Sequence, residues 1–360
     1  MTQVTVQQIL PLTTRAKEVF ALSLYAQQPL DYQAGDWALV SAHNPKVLVE
    51  SILSQLHLSG DEIIDFGRRL GECATHQALS VSLEITQLNP AILNKLQRQY
   101  QIGEFADRQA MIEYAQGRDI LDLLNDFPEL TQMGAEFLTL LSPLAPRYYS
   151  IASAGENPHQ LDLVFRKAHY LSQQRWRTGV VSGYLSQLSV GDQFSLELRA
   201  NPLFKLPADA QTPIVMLGAG TGIAPFIGFI EQRLKQGAQH NWLLFGESYW
   251  DNYQALFQTW QENESLQIDI ALSRESDQLD QFAWHQGYIT DVLGNKREQL
   301  WQQWQSGAVI YICGSQTRLA SSAESLLCEL FENKLNIDKT QAQQYWQSMR
   351  KERRIQMDVY

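Results

Sequence analysis

Cysteine is scarce in this chain: Cys73, Cys313 and Cys328 are the only three in 360 residues. No two of them stand as C-x-x-C, which argues against a disulfide framework, an iron–sulfur cluster or a structural zinc. No metal is expected, and any redox chemistry must come from a bound organic cofactor. Long apolar runs are missing as well. Nothing approaches the roughly 18 consecutive apolar residues of a spanning helix. The first 25 residues lack the continuous apolar core of a secretory signal, so a cytoplasmic location is expected. Positive charge is in deficit, with 28 Lys and Arg against 39 Asp and Glu and a net charge of −11. That balance disfavours nucleic acid as a partner. There is no internal repeat and no low-complexity segment.

Hydrophobic residues make up 44% of the chain and aromatic residues 10%, a globular composition. A chain of this length exceeds one ordinary core, so two or three domains are expected. The charge is unevenly spread. Residues 44–142 carry 7 Lys and Arg against 14 Asp and Glu, whereas residues 143–207 carry 7 against 4. The basic stretch is either a fluctuation or a site for an anionic cofactor or an acidic partner.

Residues 1–41 read as short strands, with Val4 and Val6 alternating with polar neighbours, then VFALSLY, then DWALV after a turn at Gln33–Asp36. From Asn44 the period becomes helical: KVLVESILSQL, PAILNKLQRQY, RQAMIEYAQGRDILDLLNDF and GAEFLTLL, with one strand-like run, LSVSLEIT. Strands return at YYSIAS, QLDLVFRKAHY and QFSLELRA, and Gly191-Asp192 marks a turn. Beyond residue 208 strand and helix alternate, starting with PIVMLGAG and APFIGFIEQRL. That pattern predicts a parallel sheet with helices on both faces. The outline is a multidomain α+β protein. An antiparallel barrel is built from 1–43 and 140–207, a mostly helical insert spans 44–139, and an α/β domain spans 208–360.

Four motifs could carry chemistry, and each has a plainer reading. Gly218-Ala-Gly220-Thr221-Gly222-Ile-Ala224-Pro225 follows a strand and opens a helix, where amide N–H groups can hold a pyrophosphate. Such a loop can also simply close a helix against a sheet. Arg147-Tyr148-Tyr149-Ser150 offers a phosphate clamp, a stacking ring and a hydroxyl. It could equally be a surface Arg beside core tyrosines. Gly179-Val180-Val181-Ser182 could hold a second phosphate or merely cap a helix. The chain ends on Asp358-Val359-Tyr360, and terminal residues usually fray.

Taken in this order, with Cys313-Gly314 between the glycine loop and the terminal aromatic residue, the motifs resemble those of the flavodoxin-linked branch of the ferredoxin–NADP reductase family. The resemblance covers essentially the whole chain. Tyr32-Gln-Ala-Gly35-Asp36 is similar to that family's Y-x-P-G-D turn, with Ala in place of Pro. Asn241–Gly246, Ser273-Arg274, Tyr311–Gly314 and the terminal Asp-Val-Tyr resemble its sulfite-assimilating members. The resemblance implies a barrel that binds FAD and an α/β domain that binds NADPH. It implies that Arg147 binds FAD phosphate, Tyr149 stacks on the flavin, Ser150 lies near N5, and Gly179–Ser182 hold the pyrophosphate. Leu163 would lie on the strand beside the flavin. Gly220, Thr221, Gly222, Ala224 and Pro225 would cradle the nicotinamide nucleotide. Ser273 and Arg274 would take its 2′-phosphate, and Trp284 would stack on adenine. Cys313 would face the nicotinamide, Asp358 would lie close by, and Tyr360 would cover the flavin. Ser150, Cys313, Asp358 and Tyr360 are therefore the expected catalytic group.

Two departures from the family pattern matter. There is no room before the barrel for a flavodoxin-like FMN domain, so electrons are expected to leave to a separate acceptor. That acceptor would be a flavodoxin-like carrier, a ferredoxin or a haem reductase subunit, and the basic stretch would suit an acidic carrier. The family's K-x-Y-x-Q is here Phe282-Ala-Trp284-His285-Gln286, preceded by extra residues. The Lys is gone, so a weaker NADPH preference resting on Arg274 is expected. The alternatives are a flavodoxin or ferredoxin reductase without a sulfite link, an oxygenase reductase component, and a non-catalytic FAD-binding partner.

Overall fold

A computed structural model of the chain describes residues 1–15, 17–260, 262–275 and 282–360. The chain divides into two compact units. One comprises Met1–Leu39, Tyr148–Arg166 and Leu188–Tyr360, and the other Val40–Arg147 and Lys167–Gln187.

The first unit contains two sheets. In the first sheet the strands lie in the order Arg147–Ser150, Trp37–Val40, Gln193–Arg199, Thr2–Thr13, Glu18–Tyr25 and Gln160–Lys167. Thr2–Thr13 runs antiparallel to both its neighbours. Its alternation places Val4, Val6 and Leu12 inside, opposite Val19, Leu22 and Leu24. The register slips near Pro11, which cannot donate to a ladder. The two edge strands meet at one isolated bridge, Ile151 with Leu163, so this is an open barrel rather than a closed one. The turn at Tyr32–Asp36 needs its glycine. Gly35 has φ +88°, and a Cβ there would lie 2.2 Å from the Phe204 carbonyl oxygen. Asp36 accepts hydrogen bonds from the Gln33 and Asn201 amides and from Lys205 Nζ, at 2.9, 2.7 and 2.6 Å.

The second sheet is parallel throughout. Its order is Ala283–Gln286, Leu266–Leu272, Asn241–Glu247, Ile214–Ala219, Val309–Gly314 and Ile355–Val359. One face packs on Phe204, Phe226, Phe229 and Tyr253, the other on Leu327, Phe331 and Trp346. The chain builds outward from Ile214–Ala219 to Ala283–Gln286, then crosses back to Val309–Gly314. The order therefore reverses between Ile214–Ala219 and Val309–Gly314, and ligands of such sheets bind at the carboxyl ends of strands at that point.

The second unit is mostly helical, with a core of Val49, Ile52, Leu79, Leu93, Leu123, Phe137 and Leu138. Helices form at Lys46–Gln55, Pro90–Lys95, Arg108–Ala115 and Ile120–Asp126. The long pattern at 108–127 is split because Gly117 takes φ +72° and Asp119 starts a new helix with a capping box to Asp122. GAEFLTLL forms tight 3₁₀ turns, broken at Gly134, instead of an α-helix. The expected strand LSVSLEIT is wrong: Ala78–Ser82 form a helical turn, and only Leu83 makes a bridge, to Pro143. Its apolar spacing fits a buried helical turn as well as a strand, and the surrounding helices decide. QLDLVFRKAHY also breaks at Ala168. His169–Ser172 turns back on Arg175–Thr178 as a hairpin of its own. Four charges anchor that hairpin. Arg175 bonds Asp119 and Asp122 at 2.7 and 2.6 Å, and the buried Arg177 pairs with both carboxylates.

Candidate functional site

The glycine loop lies at the carboxyl edge of the parallel sheet. The strand Ile214–Ala219 ends in a tight turn over Gly220–Ile223, then the helix Ala224–Lys235 begins with Pro225 in its first turn, where a missing N–H costs nothing. Gly220 has φ +58°. A Cβ on Gly222 would stand 2.0 Å from the Cys313 carbonyl oxygen, so the loop packs directly on the backbone of the neighbouring strand. Gly222→Ala should therefore lower stability by about 1–3 kcal/mol, since backbone rather than a flexible side chain must move. Urea denaturation measures this, and an unchanged midpoint would contradict the packing.

The last strand brings the chain terminus to the same edge. Asp358 is in register with Cys313, and Cys313 with Gly218. The terminal residue is not frayed. The Tyr360 N–H donates to the Gly314 carbonyl at 3.1 Å, and its carbonyl accepts from the Gln316 N–H at 3.0 Å. The residue remains 65% exposed, and its hydroxyl hydrogen-bonds the Thr221 hydroxyl. Ser150 Oγ donates to Asp358 Oδ2 at 2.5 Å, and Trp37 Nε1 donates to Oδ1 at 3.1 Å. Burial raises the Asp358 pKa above the ordinary carboxyl value, against the pull of those two donors. Cys313 is fully buried, and burial, with Asp358 nearby, pushes its thiol pKa far up. A neutral buried thiol is a packing group and not a nucleophile.

The expected catalytic residues thus fall at one strand edge: Ser150 on Asp358, Asp358 beside Cys313, and Tyr360 on Thr221. Trp37 was not legible as a member, because nothing near it in sequence marks it. Lys17 was missed as well. Its Nζ pairs with the buried Glu247 at 2.8 Å and would lie 3.4 Å from a Cβ on Gly220, which brings a cation to the glycine loop.

The adenosine-side residues sit further along the edge. The Ser273 and Arg274 N–H groups donate to the Glu247 and Ser248 carbonyls at 2.9 and 3.0 Å. The Arg274 side chain is exposed and makes no ion pair among the described residues. Trp284 is half-buried and packs partly on the aromatic core that includes Trp250 and Phe257. Of the extra residues expected before Phe282, 276–281 lie outside the described residues.

The other expected residues divide between the two units. In the first unit, Tyr149 is half-buried and edge-on to Phe165, at 6.3 Å between centroids, while Leu163 is fully buried and its backbone carries the barrel's bridge. In the second, Arg147 pairs with Glu84 at 2.9 Å. Gly179 precedes the short helix Val180–Leu185, whose first N–H groups have no helical partner and can take an anion. The Ser182 hydroxyl accepts the Ala168 N–H at 3.1 Å, so it serves the loop as well as any ligand. The basic stretch is largely neutralised within the chain: Arg147, Arg175, Arg177, Arg199 and Lys205 all stand in ion pairs.

Residues 216–324 match the family described as oxidoreductase NAD-binding domain. The chain is 36% identical to the sulfite reductase (NADPH) flavoprotein alpha-component of Yersinia enterocolitica, over 99% of this chain and 60% of that protein. It is 34% identical to the same component from Photorhabdus laumondii and 35% to that from Pectobacterium atrosepticum, over 92% of this chain in each case. The chain spans 55% and 54% of those two relatives. It is thus similar over nearly its whole length to somewhat more than half of each flavoprotein component.

Proposed function

We propose that this chain is an FAD-dependent NADPH oxidoreductase that passes electrons one at a time to a separate protein acceptor. The observation that carries this is the group Ser150, Asp358, Cys313, Thr221 and Tyr360 at the point where the strand order reverses. The turn at Gly220–Ile223 suits a pyrophosphate, since it follows a strand, with φ +58° at Gly220, and opens the helix Ala224–Lys235, whose first N–H groups favour an anion. The similarity to NADPH flavoprotein components supports the same reading.

FAD, when bound, supplies the step between two-electron and one-electron chemistry that no side chain here provides. The chain's own residues do the rest. Arg147 and the N–H groups of Gly179–Ser182 hold the FAD phosphates, and Tyr149 stacks on its ring. Gly220, Thr221, Gly222, Ala224 and Pro225 hold the nicotinamide nucleotide, with Trp284 against adenine and Ser273 and Arg274 on the 2′-phosphate. Asp358 orients the Ser150 hydroxyl and favours the positive charge that develops on nicotinamide. Cys313 shapes the floor of the site. Tyr360, exposed and tethered to Thr221, covers the flavin ring and moves aside for nicotinamide. The acceptor that fits the relatives is a haem-containing sulfite reductase subunit in the cytoplasm. A flavodoxin-like carrier or ferredoxin is the alternative, and co-purification with a haem subunit separates the two.

The deciding experiment mixes the FAD-loaded protein anaerobically with NADPH and, separately, with NADH while the flavin absorbance is followed. Rapid bleaching by NADPH is expected; bound FAD that neither nucleotide bleaches would overturn the proposal. In steady state, Arg274→Ala should raise the NADPH KM roughly tenfold to a hundredfold and leave the NADH KM alone, as loss of a charge-assisted hydrogen bond implies. An unmoved NADPH KM would remove Arg274 from the 2′-phosphate site.

A further inference from the structure

The hairpin between the strands Thr2–Thr13 and Glu18–Tyr25 reaches across the first unit to the carboxyl edge of the parallel sheet. Thr13 and Arg15 both hydrogen-bond Asp251, Asn252 donates to the Pro11 carbonyl at 2.9 Å, and Lys17 pairs with Glu247. Arg15 reaches furthest. Its Nη2 donates to Glu275 at 2.8 Å, and its guanidinium lies 4.3 Å from the centroid of the Tyr249 ring. Glu275 directly follows Arg274, so this ion pair ties the hairpin's cation to the segment that presents Arg274.

From this geometry we infer that Arg15 is a second phosphate cation of the nucleotide site, selecting with Arg274 for a nucleotide that carries a phosphate on its adenosine ribose. The inference rests on the reading above, that this sheet edge binds a nicotinamide nucleotide. Three features support it. Arg15 has free capacity: only Nε and Nη2 are engaged, and Nη1 makes no hydrogen bond among the described residues. Its charge is also the one that faces solvent. The Arg15 side chain is 44% exposed, against 16% for Asp251 and 5% for Glu275. Finally, both acids have a second donor, the Trp250 N–H on Glu275 at 3.1 Å and the Thr13 hydroxyl on Asp251, so Arg15 can offer Nη1 to a phosphate while Nε and Nη2 stay paired. A planar guanidinium held over the Tyr249 ring and by two carboxylates is pre-organised for a phosphate, which lowers the ordering cost of binding. The site thereby recovers a cation that Phe282 does not supply.

The test is titration calorimetry of the FAD-loaded protein with 2′,5′-ADP and with 5′-ADP. Arg15→Gln should weaken 2′,5′-ADP binding about tenfold and leave 5′-ADP unchanged, the size expected for one charge-assisted contact. Arg15→Lys, which keeps the charge and loses the planar fork, should fall between the two. Wild-type affinity for 2′,5′-ADP in Arg15→Gln, or equal losses for both ligands, would overturn the inference and leave Arg15 as a structural tie. Arg274→Ala serves as the control. If it weakens 2′,5′-ADP selectively while Arg15→Gln does not, only this inference falls; if the wild-type protein binds neither ligand, the nucleotide reading falls with it.

Discussion

Asp358→Asn protein should fold, retain FAD and NADP+, and yet be reduced by NADPH roughly 10²-fold more slowly than the wild type, the size of effect seen when one aligned electrostatic group is lost. Asn keeps the shape of Asp358 but not its charge. It can still accept from Trp37, whereas an amide N–H₂ in place of Oδ2 cannot accept from Ser150. The charge that favours developing nicotinamide cation and the group that orients the Ser150 hydroxyl are therefore lost together. Folding should be spared for a reason of sign. Burial raises the Asp358 pKa above its unfolded value, so the ionised carboxylate costs stability at neutral pH and Asn removes that cost. The same shift marks the pH profile. In wild type, hydride transfer should weaken as pH falls through a pKa above the ordinary carboxyl value, and this limb should vanish in Asp358→Asn. Stopped-flow flavin bleaching across pH reads both quantities. A variant with the wild-type rate and an intact acid limb would exclude Asp358 from the chemistry.

Arg177→Ala should cost the second unit about 3–5 kcal/mol, the usual consequence of stranding buried charges. The Arg177 side chain is 7% exposed, and its partners Asp119 and Asp122 are 3% and 8% exposed. Arg175, at 36% exposed, still reaches both carboxylates, but one partly hydrated guanidinium cannot neutralise two buried acids. The loss should propagate along the chain. Asp119 and Asp122 form the capping box of Ile120–Asp126, and Arg177 lies two residues before Gly179. FAD retention should therefore drop with stability. Arg177→Met, which restores apolar bulk but no charge, should lose nearly as much. Urea denaturation followed by circular dichroism and by released flavin measures both effects; a cost below about 1 kcal/mol would show the four charges to be solvated rather than buried.

Much of the first unit was legible in advance because its signals are local. The alternation at Val4 and Val6, the Gly35-Asp36 turn and the strand–glycine–helix run at 214–235 each depend on backbone preferences that a short window of residues expresses. The helical block was legible as helical but not in detail. LSVSLEIT has spacing that suits either period, and its neighbours' packing made it a turn. GAEFLTLL contains Gly134 in a non-helical conformation, which the apolar pattern conceals.

By itself, the sequence determined the order of most elements and the strand–glycine–helix turn at 214–235, since these follow from residue type and nearest-neighbour spacing. Tertiary structure alone decided which distant groups meet. Trp37 and Ser150 reach Asp358 across 321 and 208 residues of chain, and Arg15 reaches Glu275 across 260. It also decided that five of the seven basic residues between 143 and 207 stand in ion pairs within the chain, so a charge excess read along the chain overstates the free charge. The physical reason is the same in each case. A charge or hydroxyl acts over a few ångströms in space, and only folding converts separation along the chain into that distance.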